Sequence, residues 1–170
     1  RFGLACLAAA AFLFAPSCRE PHATGIKLPD TPAHKLQTTL LECPSTQEQS
    51  TVSIVGVLGG IVSLGNTKIT IPAGALLEPT LIQVRVPASQ FMEVDVTANG
   101  LLSFLFKRPV SVTIDYSRCP QSATDGASLT VWHIDSNTKA LLENMGGTND
   151  TAARTITFST GHLSGYAVAN

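Results

Sequence analysis

The stretch VSLGNTKITI, residues 62–71, decides the fold of this chain. Apolar and polar residues alternate on both sides of Gly65-Asn66, which is the pattern of two half-buried strands. A two-residue turn that begins with glycine suits the type II′ geometry of a tight hairpin. Pro72 follows directly and has no N–H to donate to a strand ladder, so we expect the second strand to end at Ile71.

The same period of two recurs along the chain from Thr51 onward. It is clearest in VSVTIDY, residues 110–116, and it returns at residues 82–86 and 92–96. No segment of this part shows a helical period of 3.6 residues over three turns. We therefore predict an all-β fold, an antiparallel β-sandwich of about nine or ten short strands that covers residues 51–170.

Length and charge narrow the classes of function. The chain has 170 residues, enough for one domain and a tail, and only 14% of them are charged. Eleven basic residues are scattered along the chain and offset by twelve acidic ones. A protein that binds nucleic acid needs a basic stripe for the phosphates, so we expect no nucleic-acid partner.

Residues 1–17 are predicted to be a lipoprotein-type signal peptide with a truncated basic n-region. The apolar run from Phe2 to Ala15 is shorter than the roughly 20 residues of a membrane span. Residues 15–18, APSC, resemble the lipobox of bacterial lipoprotein precursors, which implies that Cys18 carries the lipid. Arg19 in place of Asp after that cysteine implies the outer membrane. Ordinary cleavage near Ala15 and an uncleaved anchor are the alternatives, and both still export the chain.

Residues 18–50 are predicted to be a flexible linker from the lipid anchor. They are rich in Pro and poor in apolar residues, so they gain too little from burial to repay the entropy of ordering. Two cysteines, Cys43 and Cys119, remain in the exported part. They either form one disulfide between the linker and the domain or remain two unpaired thiols, and the sequence does not decide between these alternatives. A zinc site is not expected, because the chain has no Cys-x-x-Cys pair and its histidines have no ligand-like spacing with the cysteines.

Several short motifs together resemble the ZU-five domain, the β-sandwich module of zonula occludens proteins, netrin receptors and ankyrins. The resemblance covers roughly residues 51–169 and implies a sandwich with a role in interaction or scaffolding, without a common ligand. The motifs are Gly59-Gly60, IPAGAL at 71–76, FKRPV at 106–110, Trp132 and HLSGY at 162–166.

The segment His162-Leu163-Ser164 is the main candidate for catalysis. It resembles the cleavage sites of self-cleaving sandwich domains, where the hydroxyl after the scissile bond attacks the preceding carbonyl. In that alternative, Ser164 is the nucleophile and His162 the base, and on one strand the two share a face with Tyr166. The favoured interpretation is that His162 is a partly buried histidine whose side chain forms a hydrogen bond with a neighbouring hydroxyl or backbone group.

Four further residues, in β-strand segments, are predicted to have structural roles. Glu93 and Asp95 share a strand face and are predicted to be solvated, rather than a carboxylate pair for metal or acid–base work. Trp132 is predicted to lie in the core and His133 at its rim.

The sequence thus predicts a non-catalytic, lipid-anchored envelope protein whose sandwich is a protein-interaction or structural module. Membrane lipid and an unidentified protein are the expected partners, and no cofactor or metal is expected. Self-cleavage between Leu163 and Ser164 is the first alternative. A carbohydrate-binding or adhesin-like module is the second, and it would require Trp132 or Phe91 in an open groove.

Overall fold

A computed structural model describes residues 38–170 of the chain. The predicted signal peptide and Cys18 lie outside these residues. The described part is built almost entirely of β-strands, with one helical turn, and the elements in chain order are β1 (Glu42–Ser45), β2 (Gln49–Val55), β3 (Gly60–Leu64), β4 (Thr67–Ile71), β5 (Thr80–Val86), β6 (Ser89–Phe91), β7 (Glu93–Ala98), β8 (Phe104–Asp115), α1 (Gln121–Thr124), β9 (Thr130–Ile134), β10 (Leu141–Gly146), β11 (Thr148–Asp150), β12 (Thr155–Leu163) and β13 (Gly165–Ala169).

The strands form two large antiparallel sheets that pack on each other, so the predicted all-β sandwich is confirmed. The six-stranded sheet has the order β10-β9-β13-β7-β5-β2, and the five-stranded sheet has the order β11-β12-β8-β4-β3. A small third sheet pairs β1 with β6. No helix among the described residues is long and apolar enough to cross a membrane.

The core lies between the two sheets and comes from alternate residues of each strand. Ile82, Val94 and Tyr166 of the six-stranded sheet are fully buried, as are Ile69 and Ile114 of the five-stranded sheet. These residues lie at the apolar positions of the period-two pattern, which is why the pattern predicted which face of each strand is inside.

The predicted hairpin is β3 and β4, joined by Gly65-Asn66, and β4 ends at Ile71 as expected. Gly65 has φ 62°, while Asn66 keeps a negative φ, as a type II′ turn requires. Gly74 in the following corner also has a positive φ, of 74°.

The prediction that the flexible linker extends to Ser50 is wrong for residues 38–50. Glu42–Ser45 forms β1, β2 begins at Gln49, and the backbone of Leu41 bonds to Met92 and Val168. Residues 38–45 have no apolar alternation that would predict a strand. They are ordered because β1 pairs with β6 and because the backbone of Thr39 bonds to that of Asn170 at the C-terminus. Of the two alternatives for Cys43 and Cys119, the structure shows the disulfide, with the Cα atoms 4.7 Å apart.

The structure contains more strands than predicted because four short ones were not recognised. They are β1, β6, β10 and β11, each of three to six residues and each at an edge or in the small sheet. Such strands are half exposed on both faces, so they lack the alternation that reveals a buried strand. Residues 110–115 of the alternating stretch belong to one long strand, β8, which already begins at Phe104.

Candidate functional site

The chain passes from one sheet to the other at Ser164, and the predicted cleavage segment is this crossing. His162 and Leu163 end β12 of the five-stranded sheet, while Gly165 begins β13 of the six-stranded sheet. The expectation that His162, Ser164 and Tyr166 share one strand face is therefore wrong. Because the strand is interrupted at Ser164, Leu163 belongs to the five-stranded sheet and Gly165 to the six-stranded sheet.

The hydrogen bonds around the crossing do not favour attack on the Leu163 carbonyl. The hydroxyl of Tyr166 donates to the carbonyl of His162, one residue before the bond that Ser164 would have to attack. Among residues 38–170, no hydrogen bond joins the His162 side chain to Ser164. The imidazole of His162 lies instead beside Glu143, with Nε2 and Oε2 3.5 Å apart.

His162 belongs to a cluster with His133 and Glu143 at one side of the sandwich. The pairing of β9 with β10 places Glu143 directly opposite His133, and β13 places Tyr166 on the other side of His133. Because Tyr166 points inward to Phe158 of the other sheet, His133 and Glu143 also face the space between the sheets. There they meet His162, whose ring centroid is 5.1 Å from that of His133.

The three side chains are of the types that ligate metal ions, and their ligand atoms all lie within 4.8 Å of one another. His133 and His162 are partly buried, and Glu143 is exposed. Burial lowers the pKa of His133, the neighbouring His162 lowers it further, and the Glu143 carboxylate opposes both effects. Burial also raises the pKa of Tyr166, which packs beside this cluster, to about 12.

A groove of about 480 Å³ opens next to this cluster. Neither Trp132 nor Phe91, the residues that the carbohydrate-binding alternative would require in an open groove, lines it. Trp132 is half-buried in β9 rather than fully in the core, and its Nε1 atom is buried without a hydrogen-bond partner. The groove is lined by residues 102–105 and by His133, His162, Leu163 and Ser164.

The prediction that Glu93 and Asp95 form a solvated face is wrong, since they are only 1% and 3% exposed. Both point to the outer face of the six-stranded sheet, as the alternation requires, but the β9–β10 loop covers them. Lys139 of that loop donates to both carboxylate oxygens of Glu93, at 2.8 and 2.6 Å. Ser136 of the same loop and Arg85 both donate to Asp95. The two carboxylates are thus neutralised separately, each by its own cation.

Three of the motifs behind the ZU-five resemblance meet at the corner after β4. Gly59 lies against the backbone of Ile71 and Pro72, and Gly74 donates to the carbonyl of Val57. Lys107 of the FKRPV motif donates to the carbonyl of Ala75. Residues that are distant in sequence therefore build one structural unit.

Linear spacing did not predict the cluster of His133, Glu143 and His162. The three residues are distributed over three strands, and neither their spacing nor their neighbours form a known pattern. In comparisons with known proteins, no family model matches the chain and no curated protein matches it. The ZU-five resemblance therefore stays a prediction from the short motifs alone.

Proposed function

We propose that this chain is a non-catalytic lipoprotein of the bacterial cell envelope, anchored in the outer membrane through Cys18, whose β-sandwich is a protein-interaction module. The observation that carries the interaction role is one uncharged side of the sandwich, formed by β2 and β3. The ZU-five resemblance supports a binding role of this kind, and the lipobox resemblance supports the anchor.

The uncharged side is formed by the edge strands of both sheets. β2 ends the six-stranded sheet and β3 ends the five-stranded sheet, and the two lie beside each other. No charged residue occurs from Gln49 to Thr67, a stretch that contains both strands. An edge strand presents a row of backbone N–H and C=O groups that can pair with a further strand.

Apolar side chains are exposed along this same side. Ile54 of β2 is 70% exposed, Ile61 of β3 is 61% exposed, and Leu58 between them is 85% exposed. Soluble proteins usually protect an exposed edge with lysine, proline or a bulge, and β2 has none of these. The edge strands at the opposite ends of the two sheets do contain charged residues, Glu143 in β10 and Asp150 in β11.

A second copy of this chain is the occupant that the surface fits best. The partner of an uncharged edge must itself bring an extended, uncharged segment with apolar side chains at alternate positions. β2 has this composition, so two copies related by a two-fold axis would pair β2 with β2 in antiparallel fashion. The six-stranded sheets of the two copies would then continue into each other.

We expect the protein to dimerise through β2, and Ile54→Lys to weaken the dimer about tenfold or more, because it places a like charge from each copy at the shared edge. Sedimentation velocity over a concentration series measures the dissociation constant. Leu142→Lys is the matched control, since Leu142 is 55% exposed on β10, the other edge of the same sheet. A wild type that stays monomeric, or equal weakening by both substitutions, would contradict the proposal.

The anchor and the absence of self-cleavage are tested together by the intact mass of protein extracted from the envelope. We expect one polypeptide that is unbroken between Leu163 and Ser164 and carries acyl chains on its N-terminal Cys18. The Cys18→Ala variant should lose the acyl mass and leave the membrane fraction. A fragment beginning at Ser164 would support the autoproteolytic alternative, and a wild type without acyl mass would exclude the anchor.

A further inference from the structure

The strand pairing is irregular beside two of the three clustered residues, Glu143 and His162. The register of β10 against β9 shifts on both sides of Glu143, and the register of β12 against β8 shifts between Thr160 and His162. Such irregularities turn a side chain out of the regular alternation and are frequent beside functional sites. Here Glu143 is the pairing partner of His133 between two such shifts, and His162 directly follows another, while His133 lies in regular pairing with Tyr166.

The neighbours of the cluster hold these positions. The Tyr166 hydroxyl donates to the backbone carbonyl of His162, and the Tyr166 ring packs near both imidazoles. Tyr166 itself is fully buried. The two histidines are therefore supported from the core side, while Glu143 closes the cluster from the solvent side.

The donor set determines which ion would fit. Two imidazole nitrogens and one carboxylate oxygen suit borderline transition-metal ions, whereas Mg²⁺ and Ca²⁺ prefer oxygen ligands. With metal–ligand bonds of about 2.0–2.1 Å, tetrahedral ligand atoms lie roughly 3.4 Å apart. Nε2 of His162 and Oε2 of Glu143 already lie at 3.5 Å, and the widest separation in the cluster is within 4.8 Å. The ligand atoms would therefore have to approach one another by about 1.4 Å at most.

We propose that His133, Glu143 and His162 form a binding site for one divalent transition-metal ion of the zinc type. The ion would join the β9–β10 hairpin of one sheet to β12 of the other, at the side of the sandwich away from β2. Three protein ligands leave one coordination position, and both histidines line the groove that also contains Leu105 and Ser164. Water or a ligand from another molecule would occupy it.

The test is titration of the full chain with Zn²⁺ by calorimetry and with Co²⁺ by visible absorption. We expect one equivalent of Zn²⁺ per chain and the d–d absorption bands of tetrahedral Co²⁺. His133→Ala and His162→Ala should each lower the Zn²⁺ affinity about 100-fold, and Glu143→Gln about tenfold. Zn²⁺ should also raise the Tm of the wild type, because it binds the folded state.

The chain offers a matched control in its two other histidines, His22 and His34. The double variant His22→Ala/His34→Ala should keep the one-equivalent binding and the rise in Tm. Glu143→Lys serves as a variant that leaves the core intact, since Glu143 is exposed, and it should abolish binding by placing a cation in the site. Circular dichroism of each variant without metal confirms folding. The proposal is overturned if the wild type binds no Zn²⁺, if the His133, His162 and Glu143 variants bind like the wild type, or if binding disappears with His22 and His34.

Discussion

Replacing Cys43 and Cys119 together by alanine is expected to lower the free energy of unfolding by about 4.5 kcal/mol. The two residues are 76 positions apart, so the disulfide closes a long loop and removes much of the freedom of the unfolded chain. Both cysteines are also buried, at 1% and 3% exposure, and alanine leaves part of that space unfilled. A loss of this size is a large part of the stability of a domain of this length.

The measurement is urea unfolding of the double variant and the oxidised wild type, followed by circular dichroism. Wild type that is unfolded and refolded with a reductant present should lose most of the stability that the double variant loses. Both lack the cross-link in the unfolded state, and only the variant also lacks the two buried sulfur atoms. We expect the local effect to be greatest at residues 38–45, since the disulfide holds β1 to the turn after β8. A variant within about 1 kcal/mol of the oxidised wild type would show that the loop-closure argument does not apply.

Gly59→Ala is expected to destabilise the protein by about 3 kcal/mol or more. Gly59 has φ 79°, a conformation that costs an alanine about 1–2 kcal/mol. A Cβ atom there would lie 2.2 Å from the carbonyl oxygen of Ile71 and 2.7 Å from the carbonyl carbon of Pro72. Both neighbours are backbone atoms of the corner and cannot rotate away, so overpacking adds about 1–3 kcal/mol.

Gly65→Ala is the matched control for this substitution. Gly65 has a similar φ, 62°, but a Cβ atom there would meet no other atom within 4 Å. It should therefore show the conformational cost alone, about 1 kcal/mol. Thermal unfolding of the two variants separates strain from steric overlap, and equal losses at the two positions would contradict the close packing of Gly59 against the corner.

Local chemistry explains which parts of the fold could be predicted. Gly65-Asn66 between two alternating stretches specifies the β3–β4 hairpin through turn geometry, and Pro72 ends β4 because it lacks an N–H. Neither effect needs any contact beyond a few residues. The β1 strand could not be predicted in this way, since Pro44 and its polar neighbours look like a linker. Its order depends on Cys119 and on β6, which lie far along the chain.

In β7, burial was predicted correctly for the apolar residues and wrongly for the charged ones. The alternation in β7 correctly placed Glu93 and Asp95 on the face opposite Val94, but it could not show that this outer face is covered. The cover is the β9–β10 loop, which begins 40 residues later in the sequence and supplies Lys139. A charged residue becomes buried only when a partner arrives to compensate for its lost hydration, and that partner is a tertiary feature.

The sequence by itself determined the fold class, the core faces and the tight turns, because period-two alternation, glycine and proline act over a few residues. It also contains the uncharged stretch from Gln49 to Thr67. Only the tertiary structure decided that this stretch forms two adjacent edges, since strand order depends on pairing between distant segments. The same holds for His133, Glu143 and His162, which lie in three strands of two sheets. They meet because the register of β9 with β10 and the packing of the two sheets bring them to one point.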